Sequence, residues 1–244
     1  MTLLNGGSVS AWSELDHTTK PLRMSHPSAV VFVVDDDISV RESLELLIRT
    51  AGWQPETYSS AQEFLVRPRL FAPSCLVLDV SLPDLNGLDL QNRIGADRRD
   101  MPIIFITGYG DVPMTVRAMK AGAVEFLTKP FGDDVLLEAI RGALERSEEA
   151  LRDEAELRVI RDQYASLSRR EREVMTLVVS GLLNKQIAGR LGISEITVKS
   201  HRGKVMRKMK VDSVADLVTR AAELKLLRVP RSLHASTLGS NPAR

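Results

Sequence analysis

The chain's 244 residues suit one large domain or two small ones. Hydrophobic content of 43% and charged content of 27% are ordinary for a globular protein, no apolar run nears the roughly 20 residues that cross a bilayer, and the N-terminus lacks a basic-then-apolar signal pattern. The net charge of +1 conceals a division: residues 30–145 carry 11 Lys+Arg against 18 Asp+Glu, net −7, and residues 166–230 carry 14 against 6, net +8, so two domains with different partners are expected, the basic one a candidate for nucleic acid.

In chain order, residues 1–28 are rich in Gly, Ser, Thr and Pro without periodicity and are predicted to be disordered. Met24, shortly before the first strand, is an alternative start. Apolar runs VVFVV (30–34), CLVLD (75–79), PIIFIT (102–107) and VEFLT (124–128) predict strands of a buried parallel sheet, which need no polar alternation. A weaker strand is predicted around Gln54–Thr57. Ser39 with Glu42, and Ser60 with Glu63, have capping-box spacing and are expected to open the first two helices. Further helices are predicted over Leu88–Asp97, Pro113–Lys120 and Asp134–Glu145. Five strand–helix repeats make a doubly wound α/β domain, over residues 29–146, whose ligands sit at the carboxyl ends of the strands. Cys75 is the single cysteine. It excludes an intramolecular disulfide, fits a reducing cytoplasm and reads as a small core residue.

Residues 147–165 contain no Pro or Gly and are rich in Glu, Arg, Ala and Leu, which predicts a helical linker. From 166 to 228 the pattern is all helical, and residues 229–244 are again predicted to be disordered. Ser168 and Glu171 form a capping box for a helix ending near Ser180. Asn184–Leu191 supplies a short second helix, Gly192–Ser194 a tight turn, and Glu195–Met209 a third helix. A last helix runs from Ser213 to about Leu226, with Val214, Leu217, Val218, Ala221 and Leu224 on one stripe. Helix, glycine-containing turn and helix are the pieces of a helix-turn-helix.

Three aspartates, 35–37, follow directly on the first strand. Asp35 and Asp36 end that strand and Asp79 ends the third, and in a doubly wound sheet the two strands can be neighbours. An acidic triplet alone fits either a solvated turn or a metal rim. Crowded carboxylates repel, and a partly hydrated Mg²⁺ removes that penalty. Thr107 ends the fourth strand and Lys129 follows the fifth, so a hydroxyl and an ammonium converge on the same rim. A cation and a lysine can neutralise a phosphoryl group while an aspartate attacks it.

DDD at 35–37, LVLDVSLPDLNG at 76–87 and ITGYGDVPMTVRAMKAGAVEFLTKPF at 106–131 resemble a response-regulator receiver domain, a flavodoxin-like fold. The resemblance implies that Asp79 accepts the phosphoryl group and that Asp35, Asp36, Asp79 and the backbone carbonyl of Ser81 hold Mg²⁺. It further implies that Lys129 contacts the phosphoryl group, Thr107 is the switch hydroxyl and Phe126, often Tyr in relatives, the aromatic that turns inward with it. Lys129–Pro130 is expected to be cis. Gly87 and Gly108 are expected at positive φ or in close backbone approach, and Gly122 as a helix C-terminal cap.

On the third helix of the basic half, Val198, Val205 and Met209 share one stripe. Lys199, Ser200, Gly203, Lys204 and Arg207 share the opposite one, a face suited to a DNA major groove or simply to solvent. Gly203 in mid-helix either permits close approach to a duplex or is a tolerated weak point. The block LSRREREVMTLVVSGLLNKQIAGRLGISEITVKSHRGKVMRKMKV resembles the LuxR/NarL-type DNA-binding domain. Together the halves resemble FixJ/NarL-family transcription regulators, FixJ-like members most. This implies that Lys199, Ser200 and Gly203 face bases and that Thr197, Lys204 and Arg207 lie nearer phosphates, although relatives often carry a larger residue at Gly203.

The expected protein is thus a two-domain transcription regulator activated by phosphorylation and not an enzyme, with at most slow self-dephosphorylation. Its expected partners are a sensor histidine kinase, double-stranded promoter DNA, a second copy of itself and RNA polymerase, with no membrane. A haloacid-dehalogenase-type phosphatase needs a second aspartate two residues after the first, where this chain has Ser81. A regulator sensing a diffusible ligand needs an apolar chamber, and a vestigial receiver lacks site residues that are all present here.

Overall fold

The computed structural model describes residues 29–95 and 98–226. The disorder expected for 1–28 and 229–244, the alternative start at Met24 and the third helix's expected end at Asp97 lie outside the described residues.

Strands and helices alternate: β1 (Val30–Val34), α1 (Ile38–Thr50), β2 (Gln54–Tyr58), α2 (Ala61–Leu65), β3 (Ser74–Asp79), α3 (Gly87–Ile94), β4 (Ile103–Thr107), α4 (Val112–Lys120) and β5 (Glu125–Thr128). All neighbouring strands pair in parallel, in the order β2-β1-β3-β4-β5. β1, β3 and β4 are buried throughout because helices cover both faces, which is why their sequences show no polar alternation. Phe32, Leu76, Leu78 and Phe105 pack on one face, and Val31, Val33, Val77, Ile104 and Ile106 on the other. Each such side chain contributes about 1.5–3 kcal/mol relative to exposure. β2, with Pro55 lacking an N–H, occupies an edge.

Helix α1 departs from expectation. Asp37, not Ser39, is its N-cap, its Oδ1 accepting from the Ser39 N–H at 2.8 Å. An ionised carboxylate is the stronger acceptor at a helix N-terminus, so it displaces the Ser39–Glu42 box. Ser60 does cap α2, but the Glu63 carboxylate bonds the Ser59 N–H at 2.9 Å.

Helix α5 (Asp133–Ala165) runs 33 residues without a break, about 50 Å. The expected fifth helix and helical linker are therefore one element. Leu136, Ile140, Ala143 and Leu144 pack against the sheet, and Ile160 with Tyr164 joins a second, all-helical core. Ser147 fastens the helix to the base of the sheet, accepting from the Ser74 N–H at 2.9 Å and donating to the Asp100 carbonyl. Arg69 bridges Asp100 at 2.9 Å and Glu154 at 2.5 Å.

The second core lies among α6 (Arg169–Val179), α7 (Asn184–Leu191), α8 (Glu195–Lys208) and α9 (Val214–Glu223). Val174, Met175, Ile187, Val198, Val205, Met209, Leu217 and Ala221 are its buried centre. The Ser168–Glu171 capping box is reciprocal, and Ser194 caps α8 through the Thr197 N–H. Gly192 turns the chain between α7 and α8 at φ 64°, and Gly122 follows α4 at φ 97°, conformations that disfavour a Cβ. α9 ends at Glu223, earlier than expected, with Leu224 as C-cap. Among the described residues no helix is long and apolar enough to cross a membrane.

Candidate functional site

Because β1 lies beside β3, the residues leaving their carboxyl ends meet where the strand order reverses, the usual ligand crevice of an open parallel sheet. Carboxylate oxygens of Asp35, Asp36 and Asp79 all lie within 4.8 Å of one another. Asp35 is sealed from solvent, Asp79 is 6% exposed and Asp36 is open. The Lys129 Nζ donates to Asp35 Oδ2 at 2.6 Å and stands 3.6 Å from Asp79 Oδ2. Burial pushes the Asp79 carboxyl above the ordinary carboxylate range, with Lys129 opposing that rise and Asp35 and Asp36 adding to it.

An all-oxygen donor set of this kind suits a hard cation. Three carboxylates whose oxygens converge this closely are the chemistry that a partly hydrated Mg²⁺ takes as ligands.

Thr107 is buried at the end of β4, and its carbonyl accepts from the Lys129 N–H at 2.7 Å. Its hydroxyl donates to the Tyr109 carbonyl and accepts from the Tyr109 N–H, both at 3.2 Å. Phe126, half-buried on β5, lies 6.1 Å centroid to centroid from Phe105. Lys129–Pro130 is cis as expected. The Ser81 N–H donates to Asp79 Oδ1 at 3.3 Å. Gly87 meets the close-approach expectation, since a Cβ there would stand 2.5 Å from the Asp79 carbonyl oxygen. Gly108 does not. It has no positive φ and open space where a Cβ would go, because the loop beside it is held by the Thr107–Tyr109 bonds instead.

Two supports of the rim escaped the sequence reading. Arg41 Nη1 donates to the carbonyls of Asp35 and Asp36 at 2.7 and 2.9 Å, fixing the turn that presents both carboxylates. Asp84 accepts from the Ala61 and Gln62 N–H groups at 3.3 and 2.9 Å, tying the loop after β3 to the start of α2. Neither has a local signature, since each contact depends on the loop's folded path.

The second candidate surface is α8. Lys199, Ser200, Gly203, Lys204 and Arg207 are exposed, as their stripe requires, opposite buried Val198, Val205 and Met209. Thr197 is half-buried, with its hydroxyl 2.8 Å from the Ser194 hydroxyl. Two polar ties hold α8 in place. Lys208 Nζ donates to Glu171 Oε2 at 2.7 Å and to the Ser166 carbonyl at 2.9 Å, and Arg202 donates to Asn184 Oδ1 at 2.9 Å. The Lys208 bond, with the capping N–H of Ser168, holds the buried Glu171 carboxyl down at about 2. Glu171 was legible as a cap, but its tie to α8 was not.

Comparisons with known proteins match two families along the chain. Residues 31–141 match the family described as response regulator receiver domain, and residues 165–221 the family described as bacterial regulatory proteins, luxR family. Nodulation protein W of Bradyrhizobium diazoefficiens is 50% identical over 190 residues, 78% of this chain and 84% of that one. Transcriptional regulatory protein FixJ of the same organism is 42% identical over 197 residues, 81% and 96% of the two chains. The solved structure of response regulator StyR superposes with a TM-score of 0.70 at 47% identity, covering 80% of this chain and 99% of that one.

Proposed function

From the premise that this chain belongs to the response-regulator family, with a receiver followed by a LuxR-type DNA-binding domain, we propose that Asp79 is its phosphoacceptor. The observation that carries this is the convergence of Asp35, Asp36, Asp79 and Lys129 on one rim. A sensor histidine kinase is the donor. An Asp79 carboxylate oxygen attacks phosphorus, a P–O bond forms, the P–N bond of the phosphohistidine breaks, and its electron pair returns to the imidazole. Asp35, Asp36, Asp79 and the Ser81 carbonyl are the residues to hold Mg²⁺, which when bound draws charge from the phosphoryl oxygens.

Lys129, already within reach of Asp79, pairs with the incoming phosphoryl oxygens. Thr107 exchanges its bonds to the Tyr109 backbone for one to that group, and Phe126 moves into the space this opens. The changed face of α4, β5 and α5 promotes pairing of two chains, which requires a few kcal/mol of differential stability between the states. Receiver residues 29–146, linker 147–165 and DNA-binding residues 166–228 are the working units. Lys199, Ser200 and Gly203 address bases, and Thr197, Lys204 and Arg207 phosphates, of promoter DNA in the cytoplasm, with RNA polymerase as a further partner. The phosphoacceptor acts stoichiometrically, with at most slow loss of its phosphoryl group.

Incubation with acetyl phosphate and Mg²⁺ tests the reading. An acid-stable, alkali-labile label of one phosphoryl per chain is expected, and its disappearance in Asp79→Asn. Continuous release of phosphate at enzyme-like rates, or labelling that survives Asp79→Asn, overturns it.

A further inference from the structure

Ile196 stands on the first turn of α8 with 79% of its surface exposed. Single exposed apolar residues are ordinary on protein surfaces, so exposure alone decides nothing. Its position does more. At about 100° per residue, Lys199, Ser200, Gly203, Lys204 and Arg207 all lie within about 80° of Ile196, whereas Val198, Val205 and Met209 lie about 140–180° away. Ile196 therefore heads the centre line of the outward face. Its neighbours on that face are three exposed cations, a hydroxyl and a glycine, and its only acidic neighbour on the helix, Glu195, sits about 100° to one side.

An apolar partner surface would have to desolvate those cations, which a polyanion instead satisfies. In a helix-turn-helix the first residues of the second helix reach the base edges. The apolar group that DNA offers there is the C5 methyl of thymine, absent from cytosine and from both purines. Isoleucine has no donor or acceptor with which to read any other base edge. Gly203, one helical stretch along the same line with open space where a Cβ would stand, adds no bulk to hold the helix away from the groove.

We propose that Ile196 is a specificity-determining residue that reads a thymine methyl in each half-site. This rests on the reading of α8 as the DNA-facing helix. One buried carbon withheld from an aliphatic contact predicts a loss of about fourfold in affinity per half-site.

The test takes duplexes enriched from a randomised pool by the full chain after acetyl phosphate treatment, at fixed salt. Each thymine is replaced in turn by deoxyuridine, which lacks only the methyl. The expected result is one thymine per half-site whose replacement weakens wild type about fourfold and leaves Ile196→Ala unmoved, with the variant binding the thymine duplex as wild type binds the uracil one. At that position 5-methylcytosine is expected to bind wild type better than cytosine. Enriched sites lacking a shared thymine, or uracil penalties equal in wild type and Ile196→Ala, overturn the proposal. Wild-type binding by both Lys199→Ala and Arg207→Ala instead sinks the DNA-facing role of α8, and this inference with it. Unchanged thermal melting of Ile196→Ala excludes a folding effect.

Discussion

At the rim of the sheet Asp35 is closed off from water, with Lys129 at 2.6 Å and the Arg41 guanidinium fixing the turn behind it. On α8 the cations Lys199, Lys204 and Arg207 stand free in solvent, and the polar ties lie beneath the helix, at Glu171–Lys208 and Asn184–Arg202. The proposed phosphoryl transfer needs reacting atoms held to within a fraction of an ångström, and the residues proposed for it sit at strand ends where backbone pairing fixes them. Recognition of a polyanion needs charge and reach, and long exposed side chains order themselves on the partner. The helix that carries them must nevertheless be rigid.

The sharpest way to break this contrast is to remove the ties under α8. Glu171 has its carboxyl lowered from an ordinary 4.5 to about 2 by its bonds to Lys208 and the Ser168 N–H, so its ionised form favours the folded state. Because the folded value is depressed, that stability is present above pH 4.5 and is lost as pH falls toward 2. Thermal melts of the DNA-binding half across that window are expected to show a larger loss in wild type than in Glu171→Gln, which starts lower. A melt of Glu171→Gln as stable as wild type at pH 7 would mean the tie contributes nothing.

Next in size is one substitution made in both regions. Gly87→Ala forces a Cβ against the Asp79 carbonyl and the Val80 Cα, and is expected to destabilise the receiver by about 1–3 kcal/mol and to slow labelling of Asp79. Gly203→Ala meets nothing and is expected to stabilise its domain by about 1 kcal/mol. Denaturant titration of each variant reads both signs.

Asp79→Asn, in chelator, is expected to raise the receiver's melting temperature by a few degrees, since a carboxyl pushed up by burial costs stability as pH rises through its raised value. Smallest is the exposed Glu45–Arg49 pair on α1, whose removal is expected to change stability by less than about 0.5 kcal/mol.

The sequence was most legible where one local rule decided the outcome. Buried strands declared themselves by unbroken apolar runs, and Ser168, Ser194 and Gly192 each follow a capping or turn rule. Start of α1 was misread because Ser39 and Asp37 both suit a cap, and only the folded turn shows which reaches a free N–H. Asp84, Arg41 and the Glu171–Lys208 tie were invisible because their partners are brought by the fold. The rim itself was readable because each of its groups sits at the end of a recognisable strand.

The length of α5 has a mechanical corollary. Between Ser147 and Ile160 no residue of the helix is buried, yet its two ends are sunk in different cores, so it acts like a camshaft whose angular phase matters. Adding one residue to this shaft would turn whatever it drives by about 100°, and adding seven would bring it back to within about 20°. Signal transmission through this protein should therefore vary with shaft length as a periodic function, rather than fading steadily as it would along a slack tether.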